Sequence, residues 1–159
     1  MKKFRVLIIM GSPGDMEAMQ ASEPYYEYFG IAVEYVVSSA HRDPAATAEL
    51  VSTARSRGFS ALVCGAGMAA HLAGMAAAHS DLPVIGVPLK GGVMDGLDAL
   101  LATVQMPAGV PVATLAVGRA GAINSAVLCA RIFALSDAAI EHKLALFRAA
   151  GSKLPEARQ

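Results

Sequence analysis

Ser39-Ala40-His41-Arg42 sets an imidazole beside a guanidinium, with small residues before the pair and Asp43-Pro44 after it. An imidazole is the side chain best suited to carrying a proton near neutral pH. A guanidinium is permanently charged and can grip a phosphate in a fork. Together they describe proton transfer on an anionic substrate. The same residues also fit a polar surface loop, and the local sequence leaves both readings open.

Two further segments hold residues capable of chemistry. Gly11-Ser12-Pro13-Gly14-Asp15 joins an apolar run to a helical pattern. Glycines let the backbone approach a ligand, and a helix N-terminus offers free N–H groups and the positive end of a dipole. That arrangement would cradle a phosphate or ribose phosphate, with Ser12 adding a hydroxyl. The other reading is an ordinary strand-to-helix turn with Asp15 as its N-terminal charge. The segment is neither a dinucleotide fingerprint nor a P-loop, because no Lys-Ser/Thr follows. The third segment, Gly65-Ala66-Gly67-Met68-Ala69-Ala70-His71-Leu72-Ala73-Gly74-Met75, is small enough for a planar ring to lie against it. His71 within it is either a participant or a structural histidine.

Other chemistries find little support. The histidines at 41, 71, 79 and 142 lack an HExxH spacing, and no cysteines are paired, so no metal site is expected. His79 and His142 read as solvated helix residues. Cys64 and Cys129 lie in apolar elements without basic neighbours, as buried small hydrophobes rather than nucleophiles. No Gly-x-Ser-x-Gly elbow is present. A flavin- or nucleotide-binding module is a non-enzymatic rival, but no aromatic residue lies in the loops that would flank a flavin ring.

The elements that must position these segments alternate along the chain. Strand patterns fall at residues 4–10, 32–37, 60–64, 83–87 and 112–117, the first an apolar run of the kind buried on both faces. Between them, helical patterns fall at residues 16–29, 45–57, 68–79, 97–104 and 122–135, with a last amphipathic helix at 137–149. Pro24 should kink or split the first helix. Asp43 is an N-cap with Pro44 at the first helical position. The alternation predicts an α/β domain with a five-stranded parallel sheet and an additional C-terminal helix. Residues 1–159 read as one domain with a frayed tail from about 151. In such sheets ligands bind at the carboxyl ends of the strands, which is where all three segments lie.

Composition narrows the partners. Apolar residues make up 55% of the 159 and charged residues 16%, which leaves apolar surface to be buried between subunits. No apolar run is long enough to span a bilayer. The 13 basic and 13 acidic residues balance without long runs, which argues against a nucleic-acid or membrane partner. The first apolar run ends at Gly11 and acidic residues follow, so it reads as a strand rather than a signal peptide, and a cytoplasmic location is expected.

The three segments together resemble the PurE family of purine biosynthesis. The likeness continues through Pro83-Val84-Ile85-Gly86-Val87-Pro88, Gly96-Leu97-Asp98-Ala99-Leu100 and Val104-Gln105-Met106-Pro107, and spans residues 4–148. The resemblance implies a flavodoxin-like three-layer α/β/α fold and a homo-octamer. It implies a class I mutase that interconverts N5-carboxyaminoimidazole ribonucleotide and 4-carboxy-5-aminoimidazole ribonucleotide, without a cofactor and through transient CO2. His41 matches the general acid/base. Ser12, Asp15, Ser39 and Arg42 match substrate-binding positions, as do Gly67, Met68, His71 and Leu72. The alternatives within the resemblance are direct carboxylation of aminoimidazole ribonucleotide with CO2, or action on a related ribonucleotide. The chain departs from the family pattern at Gly14 (usually Ser), at Met68 (usually Gly) and at Ala73 (usually Pro).

Overall fold

Residues 6–10 are completely buried, and their side chains alternate between two separate cores. Val6, Ile8 and Met10 join one core, and Leu7 and Ile9 join the other. This period of two is what a strand covered on both faces requires. Burying each such side chain contributes roughly 1.5–3 kcal/mol relative to exposure. The computed structural model, which describes residues 2–155, makes this strand, β1 (Arg5–Met10), an interior strand of its sheet, between two parallel neighbours.

The other strands are β2 (Ala32–Val37), β3 (Ala61–Ala66), β4 (Val84–Pro88) and β5 (Ala113–Thr114). They lie in the order β2-β1-β3-β4-β5, all parallel. The helices are α1 (Met16–Gln20), α2 (Glu23–Phe29), α3 (Pro44–Ser52), α4 (Leu72–His79), α5 (Leu97–Val104), α6 (Arg119–Ala134) and α7 (Ala138–Ala149). Helices α1, α2, α6 and α7 cover the first core, and α3 and α4 cover the second. This is the parallel α/β sheet expected from the alternation, in the three-layer, flavodoxin-like arrangement that the resemblance implies, with the extra C-terminal helix packed on α6.

Several boundaries differ from those the sequence predicts. The first helix is split at Ala21–Ser22, with Pro24 in the first turn of α2. Helix α3 stops at Ser52 rather than residue 57, because Ser52 and Thr53 donate their hydroxyls back to the Glu49 carbonyl. β3 runs through Gly65 to Ala66, where a break was expected; a Cβ on Gly65 would stand 2.6 Å from Met19 Sδ, so the glycine seats Met19. β5 shrinks to two residues. The bond after Leu115 N–H to the Gly86 carbonyl would need an N–H from Pro88, which has none. Helix α6 starts at Arg119, three residues early. Helix α4 starts at Leu72 rather than 68, which puts His71 at its N-cap instead of inside it. Of the predicted frayed tail, residues 156–159 lie outside the described residues.

Helix α6 reaches the sheet through Gly121. A Cβ there would collide with the Ala116 carbonyl oxygen and stand 3.0 Å from Val87 Cγ1. In an open helix Gly→Ala gains about 1 kcal/mol. Here the clash reverses the sign. Gly121→Ala is expected to destabilise the protein by about 1–2 kcal/mol net, read as a lower urea midpoint with an unchanged slope.

Candidate active site

The carboxyl ends of β1, β2, β3 and β4 open on one edge of the sheet, and their loops enclose a cavity of about 490 Å³. It sits where the strand order reverses between β1 and β3, the place such sheets offer to ligands. Gly11, Ser12 and Asp15 come from the first loop, and Ser39 to Arg42 from the second. The third loop supplies Ala66 to Ala69 and Leu72. The fourth supplies Lys90, Gly91 and Gly92. Seven of the sequence-predicted positions line the cavity, together with His41. His71 is not among the lining residues and reaches the site through His41.

That second loop is pinned from below. Thr47, fully buried, shares a 2.7 Å hydrogen bond with Ser38 and donates to the Asp43 carbonyl at 2.8 Å. Asp43 caps α3 by accepting from Ala46 N–H. Ser39 Oγ accepts from Arg42 N–H, tightening the turn. His41 Nε2 then stands 2.9 Å from His71 Nδ1, with the two rings edge to face. Such a contact needs one nitrogen to donate and the other to accept, so each ring sets the other's tautomer. The guanidinium of Arg42 has no carboxylate partner among the described residues.

The first loop behaves differently from the expected cradle. Ser12 and Asp15 form a capping box: Ser12 Oγ accepts from Gly14 N–H, and Asp15 accepts from Ser12 N–H at 3.0 Å. Gly11 N–H bonds to the Gly65 carbonyl, Asp15 N–H to the Ser12 carbonyl and Met16 N–H to the Pro13 carbonyl. Pro13 has no N–H. From Gly11 to Met16 every backbone donor is therefore engaged, and the loop offers a ligand the Ser12 hydroxyl and the Asp15 carboxylate instead.

Met68 takes a left-handed φ of 53°, with its side chain exposed at the cavity mouth. It does not turn into the core. Gly67 lies against the backbone of the fourth loop, where a Cβ would stand 3.5 Å from the Lys90 carbonyl. Lys90, Gly91 and Gly92 are the residues that reading motifs misses. Their signal is positional: they follow a parallel strand, so they must share its edge with the other loops. Lys90 Nζ pairs with Asp95 at 3.1 Å, and this pairing holds the Asp95 carboxyl below its ordinary range. Among the described residues no cluster of three or more His, Cys, Asp or Glu forms a metal site. Both cysteines are buried, and burial pushes each thiol up to about 12.

The sequence model of the family described as AIR carboxylase matches residues 5–153. The chain belongs to the AIR carboxylase family. Members similar to it include the N5-carboxyaminoimidazole ribonucleotide mutases of Brucella melitensis and Vibrio parahaemolyticus. They are 48% and 46% identical over 145 residues, covering 91% of this chain and 90% of each relative. The mutase of Bacillus subtilis is 47% identical over 137 residues, 86% of this chain and 85% of that one. The fold matches the crystal structure of Treponema denticola PurE with a TM-score of 0.82, over 93% of this chain and 91% of that one, at 23% identity. Within this AIR carboxylase fold, the sequence-predicted positions other than His71 line one cavity.

Burial raises the Asp15 carboxyl above its ordinary 3.8, and the hydrogen bond from Ser12 only partly opposes it. Folding therefore favours the protonated form. That contribution is fully present below pH 3.8 and is lost as pH rises through the raised value. Asp15→Asn keeps an acceptor for Ser12 N–H and removes the charge. It is expected to melt above the wild type at pH 7, with the difference disappearing below pH 3.8.

Proposed function

We propose that this chain is a cytoplasmic enzyme of purine biosynthesis, a class I mutase that interconverts N5-carboxyaminoimidazole ribonucleotide and 4-carboxy-5-aminoimidazole ribonucleotide, with residues 1–159 acting as one domain. The observation that carries the reading is the His41–His71 pair at a cavity that also holds Arg42, Ser12 and Asp15. The names of the relatives supply the substrate. An imidazole whose tautomer is set by a neighbour is a proton carrier held in place.

The reaction needs one proton moved and returned. His41 gives a proton to the exocyclic nitrogen as its carboxylate leaves as CO2. The nucleophilic C4 of the aminoimidazole then attacks the trapped CO2, forming the C–C bond. His41 takes the C4 proton, and the ring regains its aromaticity. Atoms and charge balance without a redox partner, metal or ATP. Arg42 and the Ser12 hydroxyl hold the phosphate, with Ser39 bracing the turn, and Asp15 accepts from ribose hydroxyls. Gly67, Met68 and Leu72 wall the ring, and the small apolar wall keeps CO2 from escaping into water.

An exposed apolar face supports the expected assembly. On α5, Leu97, Leu101 and Val104 form an exposed apolar stripe at spacings of four and three. Val93 and Met94 lie exposed just before it. We take this face as part of the subunit contact of a homo-octamer.

Purified protein is expected to convert the N-carboxylated to the C-carboxylated ribonucleotide without ATP or metal. His41→Asn should lower turnover by at least about 100-fold while titration still detects nucleotide binding. Normal turnover in that variant would remove His41 from its role. Sedimentation should give eight times the mass of one chain, and Leu101→Asp should give smaller species. A monomeric wild type would overturn the assembly.

A further inference from the structure

A carboxylated ribonucleotide carries two anionic groups, a phosphate and a carboxylate. The motif-bearing residues supply one cation, Arg42, at the end of β2. The backbone donors of the first loop are engaged internally, so they do not supply the missing positive charge. The cavity has a second cation. Lys90 lines it from the end of β4, three strand intervals from Arg42, or about 14 Å between strand axes.

The side chain of Lys90 is held by its stem and only weakly paired at its tip. The stem crosses Gly118, where a Cβ would stand 3.3 Å from Lys90 Cγ and 3.6 Å from Cδ and Cε. Gly118 has a φ of 74°, a conformation suited to glycine, which leaves that surface bare. At the tip, the ammonium pairs with Asp95 only five residues along the same loop. Both side chains are about two-thirds exposed. An exposed pair of this kind is weak, so a dianionic phosphate or a desolvated carboxylate can outcompete Asp95. The loop between the partners turns through positive φ at Gly91, Gly92, Met94, Asp95 and Gly96. It is tied down by Asp98 accepting from Val93 N–H and by Asp95 accepting from Gly91 N–H, so it keeps its shape when Lys90 changes partner.

We propose that Lys90 is a substrate-binding residue of this site, which leaves Asp95 to hold an anionic group of the ribonucleotide that Arg42 does not neutralise. The proposal rests on the functional reading above. The fourth loop is thereby a working wall of the cavity, and Asp95 is a stand-in for substrate that keeps the lysine poised when the site is empty.

Steady-state kinetics and calorimetric titration test it on the wild type and on Lys90→Met, Lys90→Arg and Asp95→Asn. Lys90→Met is expected to raise KM about ten-fold, the low end for a hydrogen bond to a charged group, with kcat within about two-fold. Lys90→Arg should restore most of the loss. Asp95→Asn should lower KM, because it removes the competitor. Titration with aminoimidazole ribonucleotide and with its C-carboxylated product identifies the anion: loss with both means the phosphate, and loss confined to the carboxylated nucleotide means the carboxylate. Unchanged binding in Lys90→Met overturns the proposal. So does Asp95→Asn weakening binding as Lys90→Met does, since the pair would then be only a loop brace. A wild type that binds both nucleotides without turnover overturns the mutase reading and leaves Lys90 to be judged by titration. A wild type that binds neither nucleotide overturns both.

Discussion

Burial of β1 on both faces constrains everything else in the molecule. A strand with no exposed face needs a neighbour on each side and helices above and below. Its parallel partners then deliver the ends of β2, β3 and β4 to the same edge as its own. Four loops with unrelated sequences meet there because the strands beneath them have no other way to be covered. The cavity is thus a by-product of hydrophobic packing, and its chemistry is whatever the loops place at the rim.

Rim and floor are held by different forces. The loops after β1 and β2 are fixed by hydrogen bonds that close within a few residues: the Ser12–Asp15 capping box and the Ser38–Thr47–Asp43 cluster. Such local closure positions side chains well, and in the first loop it engages every backbone donor from Gly11 to Met16. The loop after β4 is shaped instead by positive φ values and by carboxylates reaching back to its own N–H groups. The cavity's cations, Arg42 and Lys90, stand on opposite walls, with a histidine pair between the loops of β2 and β3.

Much of this was legible in the sequence, for physical reasons that differ by element. Strands β1 and β2 are clear because each is a mainly apolar run between breakers, with Gly11 after β1, Gly30 before β2 and Ser38-Ser39 after it. Asp43-Pro44 announces α3 because capping is a local affair. The first helix divides near Pro24 as a missing N–H requires. The failures have the opposite cause, a dependence on distant partners. Gly65 stays in β3 because Met19 packs on it, and β5 is short because a proline in another strand cannot continue the ladder. His71 stands at a helix cap because the left-handed turn at Met68 delays α4. The Ser12-x-x-Asp15 spacing is the sequence signal for the capping box in the first loop, but the same residue types fit a phosphate cradle, and only the closed turn separates the two. Lys90 escapes notice for a related reason: a lysine between a leucine and two glycines forms no motif, and only the sheet places it beside the other loops.

The distribution of sulfur has a consequence for the chemistry this protein can suffer. Both cysteine thiols are buried and held protonated, so they are poor targets for oxidants. Among the described residues the thioether open to solvent away from the apolar α5 face is Met68, 65% exposed. It sits on the loop after β3. A peroxide would convert it to a polar sulfoxide before it touched either cysteine. Oxidative damage would therefore begin at the mouth of the cavity, changing access to the site while the fold beneath it stayed intact.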